Sequence, residues 1–283
     1  MTGMKRSQAW LSEAFDLRAK PDALLEEEGY ARGSKHVAGL DEVGRGPWAG
    51  PVVAAAVILP RGVIHPAIRD SKLLTSKRRE ELARWIKQEA VAWALGIVGP
   101  EEIDRINILK ASLLAMSAAY SQLRPAPDLL LIDGPHKIPL AFLVGIEDGR
   151  RRMEDGKKMG WLEVAESRSS ILDPLSSSLP AQRAIIKGDR ICHSIAAASI
   201  IAKVARDQLM MEVDGLYPEY GFGRHKGYGS RAHAEALRRL GPSPIHRRSF
   251  SPVRDCAPTD LSKEAVSDQP TLTLALSLRE RVG

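Results

Sequence analysis

Apolar runs of strand length recur along the chain, and three of them finish at acidic residues. From His36 the run Val37-Ala-Gly-Leu40 reaches Asp41 and Glu42, then enters a turn containing Gly44, Gly46, Pro47, Gly50 and Pro51. Val52 to Leu59 is apolar throughout, the pattern of a strand covered on both faces, and pairs with the first run as a hairpin. Val91 to Val98 is a third strand. Asp128 to Asp133 is a fourth, followed by Gly134, and Arg183 to Asp189 a fifth, with Lys187 and Gly188 before its last acid.

Between these runs the period changes to that of helices. Asp22 to Glu28 reads as a short helix stopped by Gly29. In Ser76 to Gln88, Leu82 and Ile86 continue to Ala90 as one apolar stripe. Pro100, Glu101 and Glu102 open a helix expected to run to about Leu123, where Pro125 and Pro127 end it. Ser194 to Val213 is a long alanine-rich helix on which Lys203, Arg206 and Asp207 share a face. Tyr217 to Gly229 alternates glycine, aromatic and basic residues as a loop, Ser230 to Leu240 is helical, and Pro242 to Arg254 reads as an irregular basic arm.

Two stretches break the pattern. Residues 142–178 hold two near copies of an acid-Asp-Gly-basic unit, Glu147 to Arg152 and Glu154 to Lys158, then a serine-rich run, and read as a low-complexity insertion. The polar tail from residue 255 to 283 is expected to be disordered. The division is thus a helical extension at 1–35, a core at 36–213 carrying the insertion, a helical and basic part at 214–254, and the tail.

Composition narrows the class. The 283 residues are 44% hydrophobic and only 5% aromatic, which suits an α/β protein packed with Ala, Leu, Ile and Val. Cys192 and Cys256 make neither a disulfide framework nor a zinc motif. No apolar run reaches the roughly 18 residues that span a bilayer, so a soluble cytoplasmic protein without membrane contact is expected. The formal net charge of +6 is a mild bias toward phosphate-bearing partners.

The recurrence of acids at strand ends carries the chemistry. A single strand-end aspartate commonly caps a turn. Asp41, Glu42, Asp133 and Asp189 together would repel one another unless neutralised, and hard divalent cations, Mg²⁺ or Mn²⁺, are the natural neutraliser for oxygen donors. Two such ions roughly 3.5 to 4 Å apart can activate water and stabilise a leaving oxygen in phosphodiester hydrolysis. Adjacent strand residues point to opposite faces, so Glu42 joins Asp41 only if the strand ends, bulges or changes backbone angle near Gly44.

These segments resemble the bacterial ribonuclease HII family, or type 2 ribonucleases H. The resemblance rests on Leu40-Asp-Glu-Val-Gly-Arg-Gly-Pro47, Asp70-Ser-Lys72, Glu102-Ile-Asp-Arg-Ile-Asn107, Leu131-Ile-Asp-Gly134, Lys187-Gly-Asp189, Ala196 to Lys203 with Arg206-Asp207, and His225-Lys-Gly-Tyr-Gly229, over residues 25–250 apart from the insertion. It implies an RNase H-like core with a mixed five-stranded sheet flanked by helices and a smaller helical C-terminal part. The partners it implies are RNA/DNA hybrids and duplex DNA containing ribonucleotides. Asp41, Glu42, Asp133 and Asp189 would hold Mn²⁺ or Mg²⁺ in a two-metal cleavage giving 5′-phosphate and 3′-hydroxyl ends. Gly44, Arg45 and Gly46 would sense the 2′-hydroxyl, and Tyr228 would stack at the RNA-to-DNA junction, allowing a cut 5′ to one embedded ribonucleotide.

The residues themselves agree with this. A glycine-flanked backbone can approach a sugar, and the 2′-hydroxyl distinguishes RNA from DNA at a site. Lys72, Lys187, Lys203, Arg206 and Lys226 are candidate phosphate contacts, and Asp207 is read as a structural partner of a neighbouring base. A monomer is expected, with a sliding-clamp partner for the tail left open. The rivals are a non-catalytic hybrid-binding protein whose site the insertion obstructs and an acidic-site exonuclease. The stretch between Asp133 and Asp189 is far longer than the family's short connection. Because loop closure costs only about 0.6 kcal/mol per doubling of length, deleting Val144 to Ser176 is expected to leave metal-dependent cleavage intact. An assay of the purified deletion variant checks this, and a folded but inactive variant would overturn it.

Overall fold

The computed structural model describes residues 20–144 and 179–256. The expectations for residues 1–19, for most of the insertion and for nearly all of the tail fall outside them.

Five strands form one mixed sheet in the order β3-β2-β1-β4-β5: β1 Val37–Val43, β2 Val52–Ile58, β3 Ala92–Val98, β4 Leu129–Asp133 and β5 Ala181–Ile185. β2 is antiparallel to β1 and to β3, whereas β1, β4 and β5 run parallel. Every residue of β2 is buried, as its unbroken apolar sequence requires.

Helices cover both faces. Against one lie α3 (Pro100–Ile106) and α4 (Ile108–Tyr120), whose Ala115, Met116 and Ala119 pack with Ala54, Ala56 and Leu130. Against the other lie α2 (Ser76–Glu89) and α5 (His193–Leu216), where Ala196 to Ala198 and Ile200 to Ala202 pack with Ala55, Val57 and Ile86. The preceding α1, Leu24–Ala31, sends Glu26 to accept the Ser194 N–H at 2.8 Å, satisfying one of the donors that the start of α5 leaves open. Small residues set the layer spacing. A Cβ placed on Gly39 would come within 2.2 Å of the Ser194 carbonyl carbon, and one on Gly96 within 1.9 Å of the Ala115 oxygen.

Residues beyond α5 fold back over its C-terminal half through α6 (Phe222–His225), α7 (Arg231–Leu240) and α8 (Ser251–Arg254). Phe222, Tyr220 and Ile245 pack there with Met210, Val213 and Ala49. Among them His233 Nε2 meets His246 Nε2 at 3.0 Å. Burial holds both rings neutral, at about 4 for His233 and about 3 for His246.

Several local expectations are corrected. Gly29 lies inside α1. The helix expected to run from Pro100 to about Leu123 is two, parted at Asn107, whose φ of 70° breaks the spiral while its side chain accepts the Lys110 N–H at 3.1 Å and caps α4. Asparagine tolerates this region because its short polar side chain bonds locally. The insertion boundary also moves. Residues 140–144 are helical, with Phe142 and Leu143 in the core and the Phe142 carbonyl accepting from Ser117 Oγ at 3.0 Å. The loop expected at 217–229 contains a 3₁₀ turn at Pro218–Tyr220 and α6, and the basic arm ends in α8.

The sheet-to-helix spacing sets opposite expectations for two glycines. Gly96→Ala forces its methyl against the Ala115 carbonyl and should lower stability by about 1–3 kcal/mol. Gly215→Ala, with nothing within 4 Å in the last turns of α5, should raise it by about 0.5–1 kcal/mol. Urea midpoints at unchanged slope measure both.

Candidate active site

Parallel pairing of β1 with β4 aligns Leu40 with Ile132, so the next residues on the two strands, Asp41 and Asp133, leave neighbouring strands at the same level. The pairing stops there, while β1 continues against β2 through Asp41↔Ala55 and Glu42↔Ala54 to Val43. The strand therefore neither ends nor bulges at Asp41, two of the three ways in which the sequence allowed Glu42 to join it. Instead β1 outlasts its β4 neighbour, and Glu42 projects beyond the edge where β4 ends. The fourth acid is also placed differently. β5 ends at Ile185, Lys187 is left-handed with φ 59°, and Asp189 sits in a 3₁₀ turn, Gly188–Arg190. That turn folds back so that Gly188 N–H donates to Asp133 Oδ1 at 2.6 Å.

Electrostatics shows that the four acids share one environment. Burial pushes Asp41 well above the usual carboxylate range, and the charges of Glu42, Asp133 and Asp189 push it the same way. Burial also raises Glu42, where Arg45 opposes the effect and Asp133 adds to it. Asp133 is raised by burial against the pull of backbone N–H groups from Gly188, Asp189 and Gly134. Asp189 is raised by burial, then by Asp70 and Asp133.

Each acid has some compensation. Asp41 Oδ1 accepts the Glu42 N–H at 2.7 Å, and the Ser199 hydroxyl works against the rise of this carboxyl. Glu42 Oε1 accepts from Arg45 Nη1 at 3.2 Å. Its Oε2 is buried with no hydrogen-bond partner, a costly state for a carboxylate oxygen. Lys72 Nζ lies 3.6 Å from Asp189 Oδ2.

Among the described residues no group of three or more His, Cys, Asp and Glu is arranged to hold a metal ion. Arg45 and Lys72 each pair with one acid, Glu42 and Asp189. The donors still fit a hard divalent cation: they are all carboxylate oxygens, and Glu42 Oε2 is unpartnered.

The turn after β1 is held from below by two buried arginines. Arg247 donates to the carbonyls of Gly44 at 2.6 Å, Arg45 at 3.0 Å and Gly50 at 3.0 Å. Arg206 donates to those of Pro51, Ala49 and Lys226. Burial lowers them to about 9 and about 10, respectively, still protonated at neutral pH. Gly44 has φ 95°, and a Cβ there would be 2.2 Å from Arg206 Nε, so conformation and space both require glycine. Tyr228, 43% exposed, stands beside Gly46 with the Arg206 guanidinium 5.9 Å from its ring centre.

The expected phosphate contacts divide accordingly. Arg206 is a correction: it is fully buried and spends its donors on backbone carbonyls, so it is a strut beneath the turn. Lys203 pairs with Asp207 at 2.7 Å, where Arg79 also reaches, giving Asp207 its structural role. Lys226 turns its ammonium onto the Gly223 carbonyl and Met211 Sδ. Lys187 is exposed. Lys72 lies against the acids with a 78% exposed side chain. Arg247, Ser199 and Asp70 were not singled out from the sequence. Asp70 and Ser199 stood in recognised motifs without being picked out, and nothing in the run His246 to Arg248 marks the middle residue as buried.

Comparison with known proteins follows the same outline. A family model described as Ribonuclease HII matches residues 38–143 and 163–253, leaving a gap inside the insertion. The Ribonuclease HII of Geobacter sulfurreducens is 46% identical over 242 residues, covering 85% of this chain and 94% of that one. The crystal structure of the ribonuclease H2 from Pyrococcus horikoshii OT3 is similar with a TM-score of 0.56 and 26% identity, over 78% of this chain and 96% of that one. A Bst-RNase HIII crystal structure in complex with Mn²⁺ shares the fold, with a TM-score of 0.54 and 19% identity over 81% of this chain and 71% of that one.

The raised acids make metal-free stability depend on pH. The folded Asp41 keeps its proton to a higher pH than the unfolded value of 3.8 allows, so folding takes up protons. Stability is then lost as pH rises from that value through the raised one. Asp41→Asn should therefore raise the melting temperature of EDTA-treated protein at neutral pH, by about 2–4 °C per kcal/mol relieved, and should flatten its rise on acidification. Calorimetric scans between acidic and neutral pH measure both.

Proposed function

The chain belongs to the ribonuclease HII family, and from that premise we propose that it nicks duplex DNA on the 5′ side of a single embedded ribonucleotide as well as hydrolysing the RNA strand of RNA/DNA hybrids. The general activity, metal-dependent endonucleolytic hydrolysis by a ribonuclease H, goes with membership. The finer specificity and the residue roles are this chain's own case.

Asp41, Glu42, Asp133 and Asp189 are the residues proposed to hold the metal. The carrying observation is their shared field together with the buried, unpartnered Glu42 Oε2. Divalent cations bound there, Mn²⁺ or Mg²⁺, would supply water activation and charge stabilisation at the leaving 3′-oxygen in a two-metal hydrolysis that leaves a 5′-phosphate.

Recognition of the sugar is argued from the peptide planes of the turn. The carbonyls of Gly44 and Arg45 point inward to Arg247. In a trans peptide the N–H lies opposite the carbonyl, so the N–H groups of Arg45 and Gly46 face away from that strut. Both residues are exposed. They can donate to a 2′-hydroxyl oxygen brought against the turn, a contact that deoxyribose cannot make. Beside them, the exposed Tyr228 ring offers a flat face to the sugar or base at the next position. Lys72 and Lys187 are the remaining exposed cations proposed to meet phosphates near the acids, positioning the duplex without reading its sequence.

A duplex carrying one internal ribonucleotide tests the proposal with Mg²⁺ and then Mn²⁺. One nick, 5′ to the ribonucleotide, is expected. A ladder growing from an end would indicate an exonuclease, and binding without cutting would indicate a hybrid-binding protein. Asp133→Asn should reduce cleavage by more than the roughly 10²-fold that losing a partner of a metal ligand costs, while a gel-shift assay shows hybrid binding retained.

A further inference from the structure

The turn at Asp70–Leu73 touches the acid cluster twice although it contributes none of the four acids. Ser71 Oγ meets Ser199 Oγ at 3.0 Å, and the Ser199 hydroxyl works against the rise of the Asp41 carboxyl. Lys72 Nζ lies 3.6 Å from Asp189 Oδ2 and 4.0 Å from Asp70 Oδ1, between two carboxylates. Asp70 is 1% exposed. Its Oδ1 accepts the Lys72 N–H at 3.0 Å, fixing the turn, and its Oδ2 accepts from Arg190 Nε at 3.3 Å, tying the turn to the one that carries Asp189.

This arrangement bears on a difficulty in the site. An ammonium 3.6 Å from Asp189 occupies the charge that a divalent cation would need, and removing it to water would give up the ion pair. A second carboxylate on the other side of the ammonium lets the lysine shift and remain paired. The Lys72 side chain is 78% exposed and free to move that far. We propose that Asp70 is a positioning residue that receives the Lys72 ammonium, so that Asp189 can take a divalent cation without leaving Lys72 unpaired. The proposal rests on reading Asp189 as a cation ligand.

Mn²⁺ binding to the full-length protein, measured by calorimetry without nucleic acid, tests it in the wild type, Asp70→Asn, Lys72→Met, the double variant and Asp70→Glu. Asparagine keeps an oxygen for the Lys72 N–H and removes only the charge. Should that variant not fold, Asp70→Ser also keeps a capping oxygen. Asp70→Asn is expected to weaken Mn²⁺ binding about tenfold, but by less than about threefold when Lys72 is already Met, which is the coupling a double-mutant cycle isolates. Asp70→Glu, keeping the charge, should restore most of the affinity. Equal weakening in both backgrounds would overturn the proposal, because Asp70 would then act on the cation through its own charge. So would Asp70→Asn with unchanged affinity. Asp189→Asn separates this from the underlying reading: wild-type Mn²⁺ binding that survives Asp189→Asn unchanged would overturn the assignment of Asp189 and the proposal together.

Discussion

Carboxylates that must stand close together out of water constrain the rest of this structure. Burial and mutual repulsion raise Asp41, Glu42, Asp133 and Asp189 alike, so the fold bears a cost there that its other parts offset. The sheet supplies rigidity: Asp41 and Asp133 leave adjacent parallel strands directly after Leu40 and Ile132, both wholly buried. Backbone N–H groups supply partial neutralisation at Asp133, and Arg45 and Lys72 supply positive charge at the two outer acids. A structure optimised for stability alone would place apolar or neutral residues there.

A second device keeps the turn after β1 in a fixed shape without occupying its outer side. Arg206 and Arg247 are large cations with no solvent exposure, and they aim their donors at main-chain carbonyls. Backbone oxygens from Gly44 to Pro51 are thereby turned to the interior. An arginine placed outside could have met a phosphate. Inside, it orients peptide planes, and the chemistry offered to a ligand is that of the amide groups left facing outward.

Much of this could be read from the chain itself, for reasons that differ by residue. The strands were legible because their apolar runs are continuous and bounded by glycine, proline and acids. The four acids were legible because the same local pattern recurs. Asn107 was not, because the helical stripe continues across it and only its backbone angle shows the break. The location of Asp189 in a turn was missed because Lys187 adopts a left-handed conformation that its side chain does not announce. Arg206 was misread as a surface cation because charge does not reveal burial. What decides burial is the set of carbonyls brought to it by residues roughly 155 positions earlier. Phe142 and Leu143 were assigned to an insertion by composition, yet their apolar side chains close the core over α4.

The bond from Arg247 to the Gly44 carbonyl spans 203 positions, and that separation has a bearing on how the protein is made. During synthesis the N-terminal segments emerge first, and sequence-distant contacts form last. The hairpin of β1 and β2 and its helices can assemble while the last residues of the fold are still being added, so the acids come together early. The turn after β1 receives its second strut only when residue 247 has left the ribosome. The arrival of Arg247, more than collapse of the core, is therefore what fixes the shape of this turn.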